Sequence, residues 1–286
     1  MTVSTSPYRA LTIPFTRLVF NRVNDDMKTD LPLVRLFNAQ LHAITEAECV
    51  QVVIDELDKG NDGSVLTMNL DHLRRFNRDP FCRELYARAT LHVADGMPLV
   101  WASRIQGTPL PERVTGSNLI WSLSEAAAKN GRSVFMLGGD PNTAESAAKV
   151  LKEHYPDLEV AGTFFPQHGF ESREQEVAEM TKAIMDANPD IVFVALGTPK
   201  QDTLIEALRD YMPTVWWIGV GISFSFVTGS VSRAPRWMQD NGLEWIHRMA
   251  QEPKRLVKRY LFSGLPFCIR LFSVAVSNRF GRMLKG

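Results

Sequence analysis

The chain has 286 residues, 45% of them hydrophobic and 22% charged, which suits one large α/β domain with an appendage and excludes a disordered chain. Its 32 basic and 32 acidic side chains cancel, so no global attraction to nucleic acid is expected. Cys49, Cys82 and Cys268 lie far apart and form no C-x-x-C pair, which argues against a disulfide framework and a thiolate zinc site and fits a reducing cytoplasm.

The first 30 residues carry no basic-led apolar run with a small-residue cleavage site, so no signal peptide is expected; they read as a weakly ordered extension. Short apolar, β-rich runs then alternate with stretches of helical period, the pattern of a sheet covered on both faces. A strand is expected over Val34 to Phe37, then a helix over Thr45 to Asp58 with Val50, Val53, Ile54 and Leu57 on one face. Strands follow at Ser64 to Thr67, Leu91 to Ala94 and Ser133 to Leu137, and a helix over Thr143 to His154 opens after Asp140-Pro141. Further strands are expected at Glu159 to Thr163, Ile191 to Leu196 and Thr214 to Ile218, with Pro156, Pro189 and Pro213 closing the helices before them.

From Arg233 onward the rhythm changes to aromatic and basic residues without strand signals. The expected organisation is a doubly wound α/β core over residues 31–234 and an appendage over 235–286. After Glu252 no acidic residue appears, so the appendage is basic. Leu261 to Val276 is apolar but contains Gly264, Pro266 and Arg270, and by that reading falls short of the roughly 20 uninterrupted apolar residues a membrane-spanning helix needs. Basic plus aromatic-aliphatic composition points instead to a segment lying in the membrane interface.

Ligands of doubly wound sheets bind outside the carboxyl ends of the strands, so those ends carry the candidate residues. Asp95 follows the Leu91 to Ala94 strand and precedes Gly96, where an exposed carboxylate can take a proton from an attacking hydroxyl; an Asx turn or helix cap is the structural alternative. Thr67 and Asn69 lie at another strand end. Arg113 offers a planar fork for phosphate, against the ordinary alternative of a solvated charge. Gly138 and Gly139 open a helix where backbone N–H groups meet a phosphate, although a pair that merely makes a tight turn fits as well. No D-x-D triplet occurs and the six histidines do not cluster, so no metal or other cofactor is expected, and a leaving diphosphate would fall to arginines, lysines and backbone N–H groups. The cations of the appendage, at near-helical spacing, suit that role or a lipid headgroup, unless they form only a solvated face.

In order along the chain, Thr67-x-Asn69, Asp95-Gly96, Arg113-Val-Thr-Gly, Leu137-Gly138-Gly139, Gly197-x-Pro199-Lys200-Gln201, Gly219-Val-Gly221, Arg233-Ala234-Pro235 and Glu244-Trp245-Ile-x-Arg248 resemble the WecG/TagA/CpsF glycosyltransferase family over roughly residues 33 to 270. The resemblance implies a Rossmann-like core and metal-independent, inverting transfer from a UDP-sugar to an undecaprenyl-diphosphate-linked saccharide, in teichoic acid, common antigen or exopolysaccharide synthesis. It also implies peripheral attachment to the inner face of the bacterial plasma membrane, and self-association that completes or occludes the site. Asp95 resembles the general base; Thr67, Asn69, Arg113 and Gln201 resemble substrate contacts; Arg248, Arg255, Lys258 and Arg259 resemble appendage cations that close over the diphosphate.

Two positions depart from the family pattern: Ser225 stands where an aspartate is common, and Asp202 follows Gln201 where glutamate is usual. The transferred sugar stays open between a hexose, N-acetylmannosamine and its uronic acid. Two other classes compete. An NAD-dependent oxidoreductase would need the full G-x-G-x-x-G fingerprint, which is missing. A non-enzymatic membrane-surface protein would account for the basic tail but leave the polar strand ends without a purpose.

Overall fold

The computed structural model describes residues 30 to 284, so the expected N-terminal extension lies, but for Asp30, outside the described residues. The described chain begins with a hairpin of β1 (Leu33–Leu36) and β2 (Ala39–His42), antiparallel with Leu36 opposite Ala39. Phe37, read from sequence as the end of one strand, instead turns the chain at φ 53°. The return strand carries little signal because Ala-Gln-Leu-His is short and holds no β-branched residue.

Helix α1 (Glu46–Asp58) starts at a reciprocal cap: Thr45 accepts from the Glu48 N–H while the Glu48 carboxylate accepts from the Thr45 N–H at 2.7 Å. Strands β3 (Gly63–Met68), β4 (Leu91–Ala94), β5 (Ser133–Gly138), β6 (Glu159–Phe164), β7 (Ile191–Ala195) and β8 (Trp216–Gly219) form one parallel sheet in the order β4-β3-β8-β7-β5-β6. These are the expected strands, the last beginning at Trp216 instead of Thr214. In β3, β5, β7 and β8 every residue is buried, as a sheet covered on both faces requires.

Alternation along the strands divides the core. Trp216, Ile218, Val134 and Met136 face α1, α5 (Gly116–Lys129) and α6 (Thr143–His154). Trp217, Phe135, Leu137, Val192 and Val194 face α7 (Glu174–Ala187) and α8 (Lys200–Arg209). A third apolar cluster joins the hairpin to α2 (Leu70–Arg78), α3 (Pro80–Ala87) and α4 (Met97–Gln106). Strand β3 leads outward to β4 on one side, and the chain then crosses to β5 on the other. The carboxyl ends of the strands open around this reversal.

After β8 come α9 (Ser223–Val227), α10 (Arg236–Asp240), α11 (Glu244–Gln251), α12 (Pro253–Val257), a π-helical turn Lys258–Gly264 and α13 (Leu265–Met283), with no further strand among the described residues. Helix α13 docks through a stripe four residues apart, the buried Phe267, Leu271 and Ala275. Phe267 stacks on Phe37 at 5.4 Å, Arg270 lies 5.7 Å over the same ring, and Asn278 donates to Gln106 Oε1 at 3.0 Å.

Gly264, Pro266 and Arg270 interrupt the apolar run but not the helix. Tyr260–Met283 forms a continuous helical stretch of 24 residues that contains an 18-residue window of mean hydropathy 1.5, long and apolar enough to cross a membrane by length and composition alone. Pro266 sits at the junction of the π-helical turn and α13, in the first turn of α13. Gly264 is absorbed in the π-helical turn before it, and Arg270 rests on Phe37.

Candidate active site

The end of β4 is tied to the end of β3 by the Asp95 N–H, which donates to the Met68 carbonyl at 2.8 Å. The next residue, Gly96, opens α4 at φ 141°, a conformation that favours glycine, and makes no side-chain cap bond. The helix-cap alternative for Asp95 therefore does not hold. Asp95 is half-buried, and burial pushes its carboxyl up to about 6; the field of Arg113 works against that rise, Glu244 adds to it, and His72 and Arg248 oppose it. Such a carboxyl is ionised at neutral pH, yet basic enough to accept a proton from an activated hydroxyl.

Arg113 acts on this carboxylate through its field, the loop before α5 being pinned to β4 by the Val114 N–H, which donates to the Ala94 carbonyl at 2.9 Å. Its side chain is only 15% exposed and bonds Glu244 Oε2 at 2.8 Å, so it is no solvated surface charge. The other Glu244 oxygen lies 3.3 Å from Arg233 Nε. Arg248, one helical turn beyond Glu244, is half-buried with its guanidinium 5.8 Å over the Phe226 ring. Arg113 from the loop before α5 and Glu244 and Arg248 from α11 thus act together on Asp95.

Across the sheet, Thr67 is buried with Oγ1 at 3.5 Å from the Gly219 carbonyl, linking the ends of β3 and β8. Gln201, in the first turn of α8, packs on the same glycine so closely that a Cβ there would sit 2.5 Å from its Nε2. Its Oε1 is buried without a hydrogen-bond partner among the described residues, an acceptor left over at the strand ends. Asn69 caps α2, its Oδ1 accepting from the N–H groups of Asp71 at 3.0 Å and His72 at 3.1 Å. The local geometry gives Gly138 and Gly139 a packing role: a Cβ on Gly138 would meet the Ala195 carbonyl at 2.7 Å, and one on Gly139 would meet Thr143 Oγ1 at 2.3 Å. The Gly139 N–H already donates to the Ala195 carbonyl at 2.7 Å. Lys258 is exposed, while the side chains of Arg255 and Arg259 lie outside what the structure describes.

Sequence reading missed His72, which is 4% exposed and acts on Asp95 through its field. Its Nδ1 lies 3.3 Å from the Asn69 N–H and its Nε2 lies 3.7 Å from Asp202 Oδ2. Asp202 also accepts from Thr198 Oγ1, which lies 3.1 Å from the Tyr86 hydroxyl. The shorter acid at 202 is thus accommodated by a local polar chain. The one available signal for His72 was its position three residues after the cap Asn69, where a capping box places a side chain back on the cap N–H. Ser225 is buried inside α9. No grouping of three or more His, Cys, Asp or Glu able to hold a metal occurs among the described residues.

A sequence model of the glycosyl transferase WecG/TagA/CpsF family matches residues 34–281. Among characterised relatives, the chain is 30% identical over 199 residues, 70% of this chain and 75% of the relative, to an N-acetylglucosaminyldiphosphoundecaprenol N-acetyl-beta-D-mannosaminyltransferase of Bacillus spizizenii. Of the three classes the sequence left open, these matches select the transferase: the chain belongs to the WecG/TagA/CpsF family of glycosyl transferases.

Proposed function

We propose that this protein transfers a glycosyl group, with inversion, from a UDP-sugar to a saccharide carried on undecaprenyl diphosphate. The observation that carries the reading is Asp95, a half-buried carboxylate with its carboxyl raised to about 6 at the carboxyl end of β4, within the fields of Arg113 and Arg248. In the reaction the Asp95 carboxylate takes the proton of the acceptor hydroxyl as that oxygen attacks the anomeric carbon. The bond from that carbon to the diphosphate oxygen breaks on the opposite face, and UDP leaves with the electron pair. Arg113 and Arg248 meet the charge that grows on the leaving diphosphate, with Arg255, Lys258 and Arg259 as further cations of the appendage.

Thr67, Asn69 and Gln201 line the strand ends around this base. The unpartnered Gln201 Oε1 is suited to accept from a sugar hydroxyl or amide. Gly138 and Gly139 let the β5 turn approach closely enough to complete the wall. Among donors, we favour a hexosyl group slightly over N-acetylmannosaminyl; the Bacillus relative's acceptor, an N-acetylglucosaminyl diphosphoundecaprenol, is the first acceptor to try.

The appendage brings this site to its lipid. With Phe267, Leu271 and Ala275 docked on the core, α13 and the turn before it turn Phe262, Leu265, Ile269, Phe280 and Met283 to solvent, beside the exposed Arg279 and Arg282, which donate to the Ile105 and Gln106 carbonyls. An apolar face flanked by cations suits a helix lying in the interface of an anionic bilayer. We therefore read the protein as peripheral, on the cytoplasmic face of the plasma membrane, with self-association as one way of covering the site. The test is UDP release from a panel of UDP-sugars with a polyprenyl-diphosphate-linked acceptor, with and without EDTA. Acceptor-dependent turnover with one donor, unchanged by EDTA, is expected; turnover that EDTA abolishes would remove the metal-independent mechanism, and acceptor-independent release would remove the transfer.

A further inference from the structure

The Arg233-Ala234-Pro235 motif has no part in the mechanism above, yet its arginine stands beside the site. Glu244 bridges two guanidinium groups, Oε2 at 2.8 Å from Arg113 Nη1 and Oε1 at 3.3 Å from Arg233 Nε. One belongs to the loop before α5 and the other to the segment after α9. Arg233 Nη2 is buried without a hydrogen-bond partner among the described residues, so part of this fork's donor capacity is unused. Glu244 opens α11, which has no fully buried residue and is tied to its neighbours by two ion pairs at Glu244 and by Gln251 Nε2 donating to the Ser232 carbonyl at 2.9 Å. Two forks turned toward one carboxylate, with a buried donor left over, offer more than a carboxylate can satisfy. A diphosphate has the charge and the number of oxygens that the pair lacks.

We propose that Arg113 and Arg233 form a two-arginine diphosphate site in which the Glu244 carboxylate is a resident stand-in that the diphosphate displaces. The inference rests on the glycosyl-transfer reading for the identity of the diphosphate, which belongs either to the nucleotide or to the lipid carrier. Displacement leaves Glu244 without its partners and loosens the start of α11, so filling the site also shifts the segment that carries Arg248.

Calorimetric titration of the full chain with UDP, inorganic pyrophosphate and farnesyl diphosphate tests this in four proteins: wild type, Glu244→Gln, Arg233→Gln and the double variant. With its competitor neutralised, Glu244→Gln is expected to bind the preferred diphosphate about five-fold tighter. Arg233→Gln should bind it about ten-fold more weakly, a loss near 1.4 kcal/mol, and should cost about as much again in the Glu244→Gln background. Preference for UDP assigns the site to the nucleotide, and preference for farnesyl diphosphate assigns it to the lipid.

Two results would overturn the proposal while leaving glycosyl transfer intact: weaker binding by Glu244→Gln, which makes Glu244 a holder of the arginines, or a silent Arg233→Gln once Glu244 is neutral. If Arg233→Gln does not fold, judged by its melting curve, Arg233→Lys keeps the charge without the fork and takes its place in the same comparison. Wild type that binds none of the three probes overturns both this site and the transfer reading.

Discussion

The two halves of the site are built in opposite ways. The sheet half is fixed by apolar packing: β3, β5, β7 and β8 bury every residue, and Thr67, Gln201 and Gly219 interlock at their ends. The appendage half is held by charge, since α10 and α11 contain no fully buried residue and Glu244 reaches the core through two arginines. Beyond them α13 reverts to apolar docking, with Phe267 and Leu271 wedged against the hairpin and α4. A packed wall carrying the proposed base thus faces a cationic segment anchored at its far end by α13, and in the account proposed above that segment re-seats without unfolding the wall.

The largest stability effect expected from breaking this contrast is at the anchor. Phe267→Ala removes a fully buried ring stacked on Phe37 and should cost about 3 kcal/mol or more, read as a lowered midpoint in chemical denaturation. An equal loss from truncating Trp245, which is 37% exposed on α11, would contradict the contrast.

A smaller effect concerns Asp95 and pH. Its carboxyl is raised from 3.8 to about 6, so folding favours the protonated form, and the stabilisation present below the unfolded value is lost as pH rises through about 6. Asp95→Asn should therefore be more stable than wild type at pH 8 by roughly 1–2 kcal/mol, discounted for partial exposure, and the gap should shrink toward pH 4. A gap independent of pH would mean that the ionised carboxylate is not the source.

The smallest effect tests membrane contact without touching the core. Replacing the exposed Phe262 and Phe280 by serine should leave the melting point within about 1 °C, as surface changes usually do, while weakening sedimentation with anionic vesicles several-fold. Unchanged vesicle binding would move the contact elsewhere.

How far this was legible from sequence follows the same division. Parallel strands buried on both faces read as apolar runs, so the six strands of the sheet were recognisable from residue types alone. The hairpin strand β2 was not, because four residues without β-branching carry no such run. The apolar run of the tail was legible too, but residue types alone did not show that it forms one helix through Gly264 and Pro266. Within the site, Asp95 was legible as a carboxylate directly after a strand and before a glycine. The bridge from Glu244 to Arg113 was not, since those residues stand 131 positions apart and only the fold joins them. His72 looked like an ordinary helix residue, and its burial beside Asp202 follows from the packing of α2 and α3 under α8.

The most direct measurement is the turnover of Asp95→Asn beside wild type, with the donor that wild type accepts and a polyprenyl-diphosphate-linked acceptor. Asparagine keeps the shape and removes the base, so kcat should fall by about 100-fold or more while UDP binding stays within a few-fold, and the wild-type rate should decline below a pH near 6 as the carboxylate protonates. Full activity in the variant, or a wild-type rate flat through pH 5, would contradict the assignment of Asp95 as the base.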